Sequence, residues 1–138
     1  MKHLLFGLAT ILVGCSSLKE KTNQDDVSSY QLTAQEILGD SIQYTVNEDS
    51  SMVLCQRIRK SPGPPQIKEV NYCVIDIDSG AVIHKANLAN GEVRWFSPVE
   101  IRIRNFKGYP TVNQKGVYIY NLETKSKSNQ SMGSMEDL

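Results

Sequence analysis

Hydrophobic and polar residues alternate along most of the chain after position 42, which is the pattern of β-strands with one buried face. The clearest run is residues 99–104, where valine and isoleucine alternate with glutamate and arginine. The predicted strands are residues 42–46, 51–58, 70–77, 81–89, 92–96, 99–104 and 117–123. The sequence therefore predicts a mainly β fold, a small antiparallel meander of about seven strands that forms a sandwich or a partly open barrel.

Turn residues between these runs predict how the strands connect. Residues 47–50 and the tripeptide Asp78-Ser79-Gly80 each separate two strands. Asn90-Gly91 tolerates the positive φ angles of a type I′ turn, so it predicts a hairpin between the strands on either side of it. Ahead of the strands, residues 32–38 predict a short N-terminal helix that ends at Gly39.

The N-terminal segment combines a charged start with a short apolar stretch. Lys2 precedes the apolar residues 4–13, which are typical of a signal peptide and too few to span a membrane. The tetrapeptide Leu12-Val13-Gly14-Cys15 resembles the lipobox of bacterial lipoproteins. The resemblance implies that Cys15 carries the lipid and begins the mature chain, and that Ser16 favours the outer membrane. The alternatives are an ordinary secretory signal and an apolar core helix that begins with a buried free cysteine.

This organisation divides the chain into four predicted segments. Residues 1–14 are the signal peptide, and residues 15–29 are a lipidated flexible tether with a span of roughly 20 Å as a coil. Residues 30–124 are the β domain, and the polar residues 125–138 are a disordered tail.

The second half of the β domain resembles one blade of a β-propeller in its order of strands and turns. The resemblance rests on the runs 75–80, 91–98 and 116–124. Because a propeller needs at least four blades and this chain holds fewer than two, the resemblance implies only a twisted antiparallel meander.

Two cysteines remain in the mature chain, and an exported protein meets an oxidising compartment. The proline-rich residues 62–65 must form a loop because proline lacks the amide hydrogen of a strand ladder. If the flanking strands pair symmetrically about Pro64, Cys55 faces Cys73. The same register pairs Arg59 with Glu69, Leu54 with Val74, and Ile58 with Val70. At a non-hydrogen-bonded position this predicts a Cys55–Cys73 disulfide, and the alternative is two reduced thiols in the core.

Charge limits the classes of partner. The chain has 15 basic and 15 acidic residues, and loss of residues 1–14 removes only Lys2, which leaves 14 basic against 15 acidic residues. Near-neutrality argues against nucleic acid and other charge-driven partners. No run of about 18 apolar residues follows the N-terminal segment, so the predicted membrane contact is the lipid anchor.

Few residues of the mature chain suggest chemistry. His84 is its only histidine and lies in a predicted strand, so we expect a structural role. Asp76 and Asp78 alternate like the start of a calcium loop but lack its other ligands, and turn chemistry explains them better. No nucleophile-elbow, zinc-protease or phosphate-loop motif occurs. The sequence therefore predicts a protein that is not an enzyme and takes no metal or cofactor.

Aromatic residues concentrate after position 90, and we expect most of them to fill the core of the sheet. These residues are Trp95, Phe96, Phe106, Tyr118 and Tyr120. Tyr109 lies beside Pro110 in a predicted loop and is the candidate binding residue, because loops carry recognition more often than strand faces.

The predicted function is a lipid-anchored envelope lipoprotein that acts as a non-catalytic binding or assembly module with an envelope protein as its partner. One alternative is a small-ligand carrier or an enzyme with a cleft that sequence does not reveal. Another is an inhibitor or immunity-type lipoprotein that caps an incoming protein.

Overall fold

The computed structural model describes residues 27–106 and 115–129, which form one helix and eight strands. The elements are α1 (Ser29–Leu38), β1 (Gln43–Val46), β2 (Met52–Lys60), β3 (Lys68–Asp76), β4 (Val82–Leu88), β5 (Gly91–Ser97), β6 (Glu100–Phe106), β7 (Lys115–Asn121) and β8 (Ser126–Asn129). The strands make two antiparallel four-stranded sheets in chain order, sheet A (β1–β4) and sheet B (β5–β8). The prediction of a mainly β antiparallel meander is confirmed.

The two sheets pack face to face, so the fold is a sandwich. Alternation along each strand sends every second side chain into the shared core, which is the arrangement that buries the most apolar surface in a two-layer fold. The buried members are Met52, Leu54, Val70, Tyr72, Val74 and Leu88 of sheet A, and Val93, Ile101, Ile103 and Leu122 of the second half.

Helix α1 covers the opposite, outer face of sheet A. Its buried residues Ala34 and Leu38 pack against a second apolar cluster on β2 and β3. This cluster consists of Val53, Cys55, Cys73 and Ile75. Because β2 is covered on both faces, residues 52–56 are buried without a break.

The ends of α1 are fixed by local hydrogen bonds. At its start, the Ser28 N–H donates to Gln31 Oε1 at 3.0 Å, and the helix begins three residues before the predicted position. At its end, Gly39 adopts a φ of 78° and its N–H donates to Gln35 O, as the sequence predicts. Arg57 Nη1 donates to Leu38 O at 2.9 Å and satisfies one of the free carbonyl groups at the helix end.

The predicted hairpin at Asn90-Gly91 is wrong, because these residues carry the chain from sheet A to sheet B. Asn90 Oδ1 accepts from the Lys68 N–H at 3.0 Å, and Asn90 O accepts from the Phe106 N–H at 2.8 Å, so Asn90 joins the two sheets. A Cβ atom on Gly91 would lie only 2.3 Å from Arg104 O. The glycine therefore serves close backbone approach rather than a positive φ.

Two predicted segment boundaries also change. Strand β8 pairs with β7 inside residues 125–138, so the prediction of a disordered tail is wrong for residues 126–129. Helix α1 begins at Ser29, the last residue of the predicted tether.

The turns at 47–50 and 78–80 separate β1 from β2 and β3 from β4, as predicted. Within the described residues, no helix has the length and hydrophobicity to cross a membrane.

Candidate functional site

Cys55 and Cys73 lie directly opposite each other on β2 and β3, both fully buried beneath α1. The whole predicted register is confirmed, including Arg59 opposite Glu69. The position within the ladder differs from the prediction. At the two ends of the β2–β3 hairpin, the Ser61 N–H donates to Ile67 O and the Ile77 N–H donates to Ser51 O. The register between these ends is unbroken, so every second pair of opposed residues, counted from either end, is a hydrogen-bonded pair. Cys55 and Cys73 therefore occupy a hydrogen-bonded position, where Cα atoms are about 5.5 Å apart and side chains are less close.

Both cysteines are free thiols in the structure. Interaction with the neighbouring Cys73 thiol raises the pKa of Cys55, and burial adds to this effect. The neighbouring Cys55 and the positive charge of Lys85 lower the pKa of Cys73, although burial acts in the opposite direction. Lys85 faces Cys73 from the neighbouring strand β4. Cys73 is therefore the first of the pair to lose its proton.

An open groove of about 500 Å³ lies on the outer face of sheet A where α1 ends. Strand register aligns Arg57, Asn71 and Asn87 in one row across β2, β3 and β4, and Lys85 lies in the neighbouring row. Ile37 and Leu38 form the apolar wall on the helix side. The helix ends before Gly39, so it covers Cys55 and Cys73 and leaves the row of Arg57, Asn71 and Asn87 open.

The chemistry of this groove suits a polar ligand that carries a carboxylate. The two cations supply charged donors, and the two carboxamides can both donate and accept. Lys85 is exposed and belongs to none of the ion pairs formed among the described residues. The volume lies within the range of about 300–1,000 Å³ that is common for ligand sites. Sequence reasoning missed this site, although its signal is simple: the alternation that buries Cys55 and Cys73 places polar side chains on the same face one step further along.

His84 is held between aromatic side chains of both sheets and does not line the groove. Its Nε2 lies 3.2 Å from the Tyr72 hydroxyl, and its ring stacks on Tyr120 with the centroids 4.3 Å apart. Burial lowers the pKa of His84, and the charge of Lys127 lowers it further, which favours the neutral imidazole. Among the described residues, no carboxylate forms a hydrogen bond or ion pair with His84. This environment fits the predicted structural role.

The structure distinguishes the predicted aromatic residues from one another. Trp95, Tyr118 and Tyr120 pack against the core as expected, and Trp95 Nε1 donates to Thr45 O of the opposite sheet at 2.7 Å. Phe96 is an exception to this expectation, because it is 52% exposed. A shift in the β5–β6 register next to Phe96 removes it from the regular alternation.

Turn chemistry accounts for Asp76, as predicted. Its Oδ1 accepts from the N–H and the hydroxyl of Ser79, both at 2.8 Å, and Gly80 follows with a φ of 70°. In the two described ranges, no three His, Cys, Asp or Glu side chains are grouped to hold a metal ion. Cys15, the predicted lipid attachment site, and Tyr109, the candidate binding residue, lie outside the described residues.

Comparisons with known proteins give no relative: no family model, no curated protein and no solved structure matches this chain.

Proposed function

We propose that the protein is a lipid-anchored lipoprotein of the bacterial cell envelope, in the outer membrane, and that it binds a protein partner without catalysis. The observation that carries the binding role is the groove beside the end of α1, with Arg57 and Lys85 at its polar side. The observation that carries the anchor is the tetrapeptide Leu12-Val13-Gly14-Cys15. Acylation of Cys15 by two or more chains gives a lasting anchor, which a single chain does not.

The partner we propose is an envelope protein that presents an acidic segment or a C-terminal carboxylate. Arg57 donates one hydrogen bond to Leu38 O. A guanidinium has five N–H donors, so others are available to a ligand. Lys85 adds a mobile charge at the groove, and Asn71 and Asn87 offer amide groups to a peptide backbone. Binding at an anchored domain is strengthened by the confinement of both partners to one surface.

His84 supports a binding role over a catalytic one. A general base needs a ring nitrogen within reach of substrate, whereas His84 Nε2 contacts Tyr72 and its ring face is covered by Tyr120. The group that would serve as the base is thus engaged in packing the two sheets together.

We also propose that Cys55 and Cys73 form a disulfide in the exported protein. The two residues are directly opposed, and the Cα separation of about 5.5 Å typical of their ladder position lies within the range of disulfides. Formation of the bond removes two protons and two electrons, which a disulfide-bearing oxidoreductase of the exported compartment would accept. The lower pKa of Cys73 makes it the attacking thiolate.

Substitution of the anchor cysteine tests the localisation. We expect Cys15→Ser to release the protein from the membrane fraction and to abolish incorporation of labelled palmitate, because serine offers no thiol for acylation. Ser17→Ala is the control and should leave both readouts unchanged. Ser16→Asp should retain the lipid and move the protein to the inner membrane. Full membrane retention and labelling of Cys15→Ser would refute the anchor.

A charge reversal in the groove tests the binding role. We expect in-cell crosslinking of the lipidated protein to capture one reproducible envelope protein. Lys85→Glu should reduce its yield about tenfold, since it places a negative charge against an acidic partner and like charges at a contact weaken association. Lys60→Glu, which reverses the charge of an exposed lysine on β2 outside the groove, is the matched control. Equal yields from the two variants, or no partner above background, would contradict the proposal.

A further inference from the structure

The outer face of sheet B carries a compact group of basic side chains. Strand register places Arg94 directly opposite Arg102 and places Arg104 opposite Glu92. Glu92 contacts three cations: Lys68 Nζ lies 3.2 Å from its Oε1, and Arg94 Nη2 and Arg104 Nη1 lie 3.5 and 3.7 Å from its Oε2. We call Arg94, Arg102, Arg104 and Glu92 of sheet B, together with Lys68 at the start of β3 in sheet A, the basic face.

The carboxylates on this face cannot neutralise this group. Glu92 contacts three of the four cations, and Glu100, two residues before Arg102 on the same face of β6, accepts instead from the Ser97 hydroxyl, so two positive charges remain in surplus. Partial burial raises the pKa of Glu92, but Lys68, Arg94 and Arg104 together lower it, so the carboxylate is charged. Its single negative charge is shared among these three cations. Like charges directly opposite on adjacent strands are destabilising, and of the opposed Arg94 and Arg102 only Arg94 has an ion-pair partner, Glu92, among the described residues.

Arg102 gives an independent sign that an acceptor is missing. Its Nε is buried and donates to no atom of the described residues. Buried donors are nearly always paired, and an orphaned one needs an explanation. A small cavity of about 20 Å³ lies among Glu92, Arg94, Arg102 and Arg104, enough space for about one water molecule or a single inserted oxygen atom.

We infer that the basic face binds the phosphate group of an anionic phospholipid in the membrane that holds the anchor. Arginine presents paired N–H donors in a planar fork that matches the oxygen atoms of a phosphate, and three arginines converge here. The lipid source rests on the proposed function: a tether of roughly 20 Å keeps the domain close to head groups. The groove lies on the outer face of sheet A and the basic face on that of sheet B, so one can meet a partner while the other meets the membrane.

Vesicle association of the unlipidated mature chain tests the inference without the anchor. Residues 15–138 with Cys15→Ser retain every described residue of the fold. We expect this protein to co-sediment with vesicles of phosphatidylcholine and phosphatidylglycerol, and not with phosphatidylcholine alone. Three arginines at an anionic surface correspond to about a hundredfold in affinity, so Arg94→Gln/Arg102→Gln/Arg104→Gln should reduce association by about that factor. Added salt should weaken it as well.

A charge-matched variant separates a specific face from general attraction. Arg59→Gln/Lys125→Gln/Lys127→Gln removes three exposed charges that lie outside both the basic face and the groove, and it should retain association. Arg94→Gln/Arg104→Gln keeps the partly buried Arg102 and should lose most of the binding, which guards against a folding defect in the triple variant.

Three outcomes would overturn the inference. They are equal loss in both triple variants, no association with anionic vesicles, and saturable binding of inorganic phosphate alone, which would make the site one for a free ion. Because the test uses unlipidated protein, its result does not depend on acylation of Cys15. Membrane release of the Cys15→Ser variant in cells and vesicle binding in vitro therefore fail or succeed separately.

Discussion

Asn47→Ala is expected to destabilise the fold by about 3 kcal/mol, because one buried side chain holds the β1–β2 turn and links it to sheet B. Asn47 Oδ1 accepts from the N–H groups of Ser51 and Met52, both at 3.0 Å. Its Nδ2 donates to Ser51 Oγ at 3.0 Å and to Pro98 O at 2.8 Å, across the sandwich. The residue is 4% exposed, so truncation would leave a buried Met52 N–H and a carbonyl without these partners.

The midpoint of urea unfolding measures this effect, provided that the dependence of the free energy of unfolding on urea concentration is the same in the variant and the parent protein. Asn87→Ala is the matched control: the side chain is exposed on β4, and its loss should change the free energy of unfolding by less than about 0.5 kcal/mol. A loss below about 1 kcal/mol for Asn47→Ala would mean that water replaces the side chain and that the turn is held by its backbone alone.

The β2–β3 pairing could be predicted because local and global signals agree there. The proline-rich loop fixes the centre of the hairpin, and a slip of one residue would send Leu54 and Val74 to the wrong face of the sheet. The same sequence could not identify the connection at Asn90-Gly91. An asparagine and a glycine serve equally in a tight hairpin and in a switch between sheets, and the deciding bond, from the Lys68 N–H to Asn90 Oδ1, spans 22 residues.

Strand β8 and the basic face escaped prediction for a related reason. The residues of β8 are all polar and exposed, and they form a strand through backbone pairing with β7. Their sequence therefore contains no alternating hydrophobic pattern from which a strand could be predicted. The alternation in residues 99–104 does place Arg102 and Arg104 on one face. That Arg94 and Glu92 face them follows from the β5–β6 register, and a net charge of zero conceals the local surplus.

Reduction of the proposed Cys55–Cys73 disulfide is expected to lower stability by about 3 kcal/mol, the value for a closed loop of about 19 residues. The effect arises chiefly in the unfolded chain, since the loop is already ordered in the native hairpin. The hydrogen-bonded position of the pair requires the two side chains to approach further than the free thiols do. Both thiols lie beneath Ala34 and Leu38, so that movement takes place inside a packed cluster rather than at a surface.

Mass spectrometry of the unreduced protein from the envelope identifies the bond, and urea unfolding with and without reductant gives its contribution. The double variant Cys55→Ala/Cys73→Ala is the control, because reductant should not alter its midpoint. Two free thiols in protein isolated natively from the envelope would contradict the disulfide. The buried pair would then be a packing contact beneath α1, where the Cys55 thiol donates a weak hydrogen bond to Val53 O and the register is kept by the apolar pattern alone.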